Sequence, residues 1–238
     1  MNTILLFIIV IVISSILQTS TGFGFSILAT PFLLLMFDVR EAIQINLLLS
    51  LVISLTLVVK IRRDVNWGVF KRFVYGSIVG LPIGISIFLM ANLTLLKVAI
   101  GILILVLTML LIFNYRIRQT PNKDFVIGGL SGAFTTSIGM PGPPVLLYFS
   151  GTGIKKEALR ATTLTFYLII YAASLVVQIA FAGTSKVVWM QSLYALPIVF
   201  VGLVFGQWLF PKINQYYFRL LIYVLLLFTG AYLLWQQF

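Results

Sequence analysis

The sequence predicts an all-α polytopic membrane protein of two inverted repeats, each a re-entrant helical hairpin followed by three transmembrane helices. Three observations predict it. With 61% hydrophobic and 9% charged residues over 238 positions, the chain has too little polar surface to cover a soluble globule of its size. Two stretches of glycine, hydroxyl and proline residues interrupt its apolar runs at corresponding places in two halves, a pattern that points to a secondary transporter's binding site. Finally, the basic residues gather on one side of a membrane only if those two stretches turn back inside it.

The first element, 3–37, is apolar except for Gln18-Thr19-Ser20-Thr21-Gly22-Phe23-Gly24-Phe25-Ser26. Met1-Asn2-Thr3 carries no basic side chain and no small-residue cleavage site follows, so the run reads as mature structure and not as a secretory signal. About 20 apolar residues cross a bilayer as a helix, and three such spans follow: 42–59, 73–90 and 95–113. The second broken element, 125–150, centres on Thr135-Thr136-Ser137-Ile138-Gly139-Met140-Pro141-Gly142-Pro143-Pro144. Spans 161–182, 187–210 and 218–235 complete the chain, which divides into repeats 1–120 and 121–238. Gly76, Gly80 and Gly84, like Gly202 and Gly206, recur every four residues on one helix face, where another helix can approach closely.

Charge decides how the broken elements are placed. If all eight elements cross, the basic residues split nine to seven between the faces, which orients nothing. If the broken elements are re-entrant, the split is thirteen to three, with only Arg40, Lys97 and Lys186 on the minor face. The positive-inside rule then puts the major face in the cytoplasm and both termini outside it. Irregular backbone at membrane depth is tolerated where it is buried in protein or lines a wet cavity, which suits hairpin tips of Gly, Ser, Thr and Pro.

The halves also resemble each other. A constant offset of 122 pairs Val65 with Val187, Trp67 with Trp189, Gly80 with Gly202, Gly84 with Gly206 and Asn92 with Asn214, and upstream the offset is about 116, where Glu41-Ala42 meets Glu157-Ala158. Three spans per half is an odd number, so the second half enters inverted, with a pseudo-two-fold axis in the membrane plane.

Three groups of residues carry a family resemblance. They are Gly22-Phe23-Gly24-Phe25-Ser26 leading to Pro31, then Arg62-Arg63-Asp64-Val65-Asn66-Trp67, then Gly139-Met140-Pro141-Gly142-Pro143-Pro144 with Tyr148 and Arg160-Ala161-Thr162. From about Ser15 to Phe238 the chain resembles the sulfite exporter TauE/SafE family, also called the toluene-sulfonate uptake permease family. Its first motif has fewer consecutive glycines than the family's usual run. The resemblance implies export or uptake of sulfite, organosulfonates or related anions across a prokaryotic cytoplasmic membrane, and makes Tyr148 a candidate substrate-binding residue.

The residues themselves suit an anion. A helix restarts after each break, near Phe25-Ser26 and near Pro143-Pro144, and prolines fit a first turn, where a missing amide hydrogen costs nothing. A helix start presents unpaired N–H groups and partial positive charge, and Gly22, Gly24, Gly139 and Gly142 let an anion touch backbone. The hydroxyls of Ser20, Thr21, Ser26, Thr136 and Ser137 can donate to it, as can Gln44, Asn46 and Thr163 at the starts of the following spans; the competing role is bonding to backbone carbonyls of the membrane helices. Arg160 stands at the start of an apolar span, where it either snorkels or faces water. No basic side chain adjoins either break in sequence.

Cysteine and histidine are absent, which excludes disulfides and thiolate metal sites. Asp38, Glu41, Asp64, Asp124 and Glu157 all sit at span boundaries, so a proton relay of buried carboxylates is not expected. An enzyme would need a nucleophile with a base, a carboxylate pair or a metal; none is expected, nor a cofactor or nucleic acid. The expected partners are a small anion, the lipid bilayer and, left open, a second copy in a homodimer. Both a carrier and a passive anion channel fit the same architecture.

Overall fold

The computed structural model describes residues 3–90, 92–113, 119–150 and 154–212, with positions 227, 231, 234 and 235. The span expected at 218–235 lies outside the described residues apart from those isolated positions. All regular structure among the described residues is helical: α1 (Thr3–Thr21), α2 (Phe25–Leu33), α3 (Val39–Ile61), a 3₁₀ turn at Arg62–Asp64, α4 (Trp67–Met90), α5 (Leu93–Ile112), α6 (Pro121–Ile138), α7 (Gly142–Ser150), α8 (Lys156–Ala182) and α9 (Lys186–Leu209). Five of these, α1, α3, α4, α8 and α9, are long and apolar enough to cross a membrane. Their outer faces are greasy: Ile78, Val79 and Ile83 on α4 and Leu193, Val204 and Phe205 on α9 are exposed, as lipid-facing residues must be.

Helices run past the apolar windows read from sequence because the flanking polar residues start and stop them. Thr120 caps α6, its hydroxyl accepting from Lys123 N–H, with Pro121 in the first turn, and Gly139 ends that helix in the left-handed conformation (φ 74°). Ser185 caps α9 in the same way, accepting from Val188 N–H. The caps satisfy amides and carbonyls that a helix end leaves open.

α3 and α8 run antiparallel at the centre. Asn66 N–H, just past α3, donates to Thr162 near the start of α8, while Gln44 near the start of α3 donates to Gly183 O just past the end of α8. Beside this pair, α4 packs on α6 and α9 on α1. α4 packs on α6 so closely that a Cβ on Gly80 would lie 2.0 Å from Gly129 O, and one on Gly84 would lie 2.5 Å from Ala133 O and 2.7 Å from Thr136 Cβ. α9 packs on α1 at matching positions: Gly202 faces Val12 O, and Gly206 faces Ile16 O and Thr19 Cβ. The partners Gly129 and Val12, Ala133 and Ile16, and Thr136 and Thr19 are each 117 apart (129 and 12, 133 and 16, 136 and 19).

α1 and α2 form a hairpin whose mouth is closed by an edge-on contact of Phe7 with Phe37, ring centroids 5.9 Å apart. At 19 residues, α1 is about 28 Å long at 1.5 Å per residue, so this limb has the length of a crossing whereas the 9-residue α2 has half of it. α6 and α7 form the second hairpin, and its mouth is closed by Tyr148 bonding Asp124. Contacts also gather basic residues at one end of the bundle: Lys60 bonds Gln207, Arg72 pairs with Asp124, and Lys156 and Arg160 both lie over the Phe210 ring. Arg40, bonded to Leu89 O, is at the other end.

Candidate functional site

Each hairpin tip is wedged against the central helix of the opposite half. A Cβ on Gly22 (φ 87°) would sit 2.6 Å from Thr163 Oγ1 and 2.8 Å from Arg160 Cα; one on Gly139 would sit 2.9 Å from Asn46 Nδ2 and 3.3 Å from Ile43 Cγ2. Gly139 and Gly22, Thr163 and Asn46, Arg160 and Ile43 are again 117 apart (139 and 22, 163 and 46, 160 and 43). Asn46 Nδ2 donates to Gly139 O at 2.7 Å. Gln178 Nε2 donates to Thr136 O at 2.8 Å. These carboxamides satisfy carbonyls that the end of α6 leaves without helical partners.

Beyond the tips two short helices begin close together. α2 starts at Gly24, which offers no side chain as a cap, and the first amide to bond within it is that of Leu28, to Gly24 O at 3.0 Å. The amides of Phe25, Ser26 and Ile27 therefore lie outside the helical ladder. α7 starts at Gly142, whose Cβ position is 3.0 Å from Ile27 Cδ1 in the first turn of α2 and 3.6 Å from Tyr167 Oη. Pro143 and Pro144 carry no amide hydrogen, so the α2 start is the richer donor of the two.

Unpaired polar atoms collect around these starts. Tyr167 and Tyr171 on α8 are wholly buried, their rings 5.5 Å apart, and neither hydroxyl has a hydrogen-bond partner. Tyr171 Oη lies near the hydroxyls of Ser26 and Ser50. Gln18 Nε2 donates to Ser50 O (3.2 Å) and Ser54 Oγ (3.3 Å), while Gln18 Oε1, Asn46 Oδ1 and Ser50 Oγ lack partners. Buried polar atoms are nearly always satisfied, so these atoms make the surroundings of the two helix starts the candidate site.

The residues singled out in the sequence divide into those that converge here and those that do not. Gly22, Gly24, Ser26, Asn46, Gly139, Gly142 and Thr163 lie at or against the tips. Ser20, Thr21, Thr136 and Ser137 also lie there, but each hydroxyl donates to its own helix four residues back, at Ile16 O, Leu17 O, Gly132 O and Ala133 O; Thr136 additionally meets Ser174 at 2.8 Å. Thr163 likewise donates to Leu159 O. Gln44 reaches the α8–α9 turn, beside the bond from Ser185 to Glu41. Tyr148 stands at the mouth of its hairpin, bonded to Asp124 Oδ1 at 2.6 Å, not at the tip. Although no basic residue adjoins a break in sequence, the fold brings the Arg160 backbone against Gly22, with the guanidinium turned onto Phe210 at 4.4 Å.

Tyr167 and Tyr171 were not singled out by the sequence reading. Their signal is the four-residue spacing of two hydroxyls on α8, matched 117 positions earlier by Ser50 and Ser54 on α3. Aromatic residues in an apolar span are hidden among other aromatic residues until the helix is placed.

Two broken helices, long apolar spans and a polar centre define a multi-pass helical membrane protein. Sequence comparison places the chain within a known group: the family model described as sulfite exporter TauE/SafE matches residues 6–233. The chain belongs to that family of membrane transporters. Compared with curated proteins and with solved structures, it matches none of them.

Proposed function

We propose that the chain carries small sulfur oxyanions, sulfite or organosulfonates, by alternating access, holding the anion at the starts of α2 and α7. The observation that carries this reading is the approach of Gly142 to Ile27, which brings two helix starts together beside unpaired buried hydroxyls and away from any ion pair among the described residues. Each start contributes about 0.3–1 kcal/mol toward an anion when exposed and up to about 2 when partly buried. Such modest attraction suits cargo that must be released. Arg160, buried at the same end as Lys60, Arg72 and Lys156 and making no ion pair among the described residues, guards the cytoplasmic approach.

In this reading the halves are inverted repeats and the hairpins are re-entrant. Support comes from the repeated offset of 117 in the crossed contacts, from antiparallel α3 and α8, and from hairpin mouths closed by Phe7–Phe37 and Asp124–Tyr148. The membrane is then a prokaryotic cytoplasmic membrane, with both termini outside the cytoplasm. Reconstituted protein should take up sulfite or methanesulfonate with saturable kinetics stimulated by the same anion inside the vesicle. Flux that rises linearly with concentration and ignores internal anion would assign the architecture to a channel instead.

A further inference from the structure

We infer that Tyr167 and Tyr171 are the side-chain donors that select the anion, a step that rests on the carrier reading above. Each tyrosine addresses one helix start: Tyr167 Oη lies 3.6 Å from the Cβ position of Gly142 at the head of α7, and Tyr171 Oη faces Ser26 in the first turn of α2. They stand one helical turn apart on one face of α8, with ring centroids 5.5 Å apart, so their hydroxyls serve neighbouring acceptor atoms.

Both side chains are wholly buried; the Tyr167 hydroxyl lacks a partner and that of Tyr171 has only the hydroxyls of Ser26 and Ser50 beside it, and an unpaired buried hydroxyl costs stability and persists where function requires it. The matching positions on α3 carry Ser50 and Ser54. Short hydroxyls stand on the α3 side, where Ser54 Oγ accepts from Gln18 Nε2, and long phenols reach in from the α8 side. The donors are neutral, so recognition depends on a ligand that presents at least two acceptor oxygens in a fixed arrangement, as sulfite and sulfonates do. A spherical halide presents no such pair.

Purified full-length protein and its Tyr167→Phe and Tyr171→Phe variants would be titrated calorimetrically with sulfite and with methanesulfonate, and melted without ligand. Each variant is expected to bind about ten-fold or more weakly, the scale of a lost hydrogen bond to a charged group, while its unliganded melting temperature stays level or rises because an unpaired hydroxyl has left the interior. Undiminished affinity in both variants, or a fall in both unliganded melting temperatures, would overturn the assignment and leave the carrier reading intact. Wild-type protein that binds neither anion would sink the carrier reading and this inference with it.

Discussion

The hydroxyl of Tyr148 donates to Asp124 Oδ1 at 2.6 Å while the other carboxylate oxygen of Asp124 accepts from Arg72 at 2.7 Å. One buried carboxylate thus joins α4, the start of α6 and the far end of α7. Because Asp124 is fully buried, it depends on both partners to offset its desolvation.

Asp124→Ala should therefore destabilise the protein by about 3 kcal/mol, the low end for breaking a buried pair, since the Arg72 side chain remains 36% exposed and can turn to solvent. Tyr148→Phe should cost about 1.5–3 kcal/mol, the worth of a hydrogen bond to a charged group. Denaturation in detergent would read both. Anion affinity should be unchanged in Tyr148→Phe, because its hydroxyl lies at the hairpin mouth; a loss of affinity without a loss of stability would return Tyr148 to the substrate.

Close helix approach gives a second prediction with an internal control. A methyl on Gly80 would meet Gly129 O at 2.0 Å, whereas one on Gly129 would meet Gly76 O at 3.3 Å. Gly80→Ala should push α4 off α6 and lower the melting temperature sharply. Gly129→Ala needs only a few tenths of an ångström of give and should stay near wild type. Equal effects would mean that the two helices do not touch along this face.

Much of this fold is legible in the sequence because its determinants are local. The breaks at Gly22 and Gly139, the restarts at Phe25 and Gly142 and the every-fourth-residue glycines each announce themselves within a few residues. The charge pattern also separates Arg40 from Arg160 without any structure. The polar centre is less legible, because what matters there is which hydroxyl lacks a partner. Ser20 and Ser50 look alike in sequence, but Ser20 is spent on Ile16 O whereas the Ser50 hydroxyl has no partner. Likewise Tyr148 follows the Gly139–Pro144 stretch closely in sequence, yet its neighbour is decided by the return of α7 to Asp124 across 24 positions.

Topology supplies the third prediction. Arg63 and Thr184 are exposed and lie at opposite ends of the antiparallel α3–α8 pair. Arg63→Cys should react with an impermeant thiol reagent only from the cytoplasmic side, and Thr184→Cys only from outside. The native chain has no cysteine, so either signal is unambiguous. The reverse pattern would invert the proposed orientation, and labelling of both from one side would break the antiparallel arrangement.

The last prediction separates the two tips by what surrounds them. Gly22 has no room: a methyl there meets Thr163 Oγ1 at 2.6 Å and Arg160 Cα at 2.8 Å, and its φ of 87° is one that side chains rarely adopt. Gly22→Ala should therefore damage folding and transport together, by strain of about 1–3 kcal/mol before any clash is counted. Gly142 has a softer neighbourhood, meeting Ile27 Cδ1 at 3.0 Å, the flexible end of a side chain, and then Tyr167 Oη at 3.6 Å. Gly142→Ala should fold with a near-native melting temperature, yet its methyl enters the space between the α7 start and the Tyr167 hydroxyl, where the anion is proposed to sit. Binding of sulfite or methanesulfonate should fall by at least ten-fold, about 1.4 kcal/mol, and the larger Gly142→Val should abolish it. A Gly142→Ala protein that folds well and transports at the wild-type rate would move the anion away from this pair of helix starts.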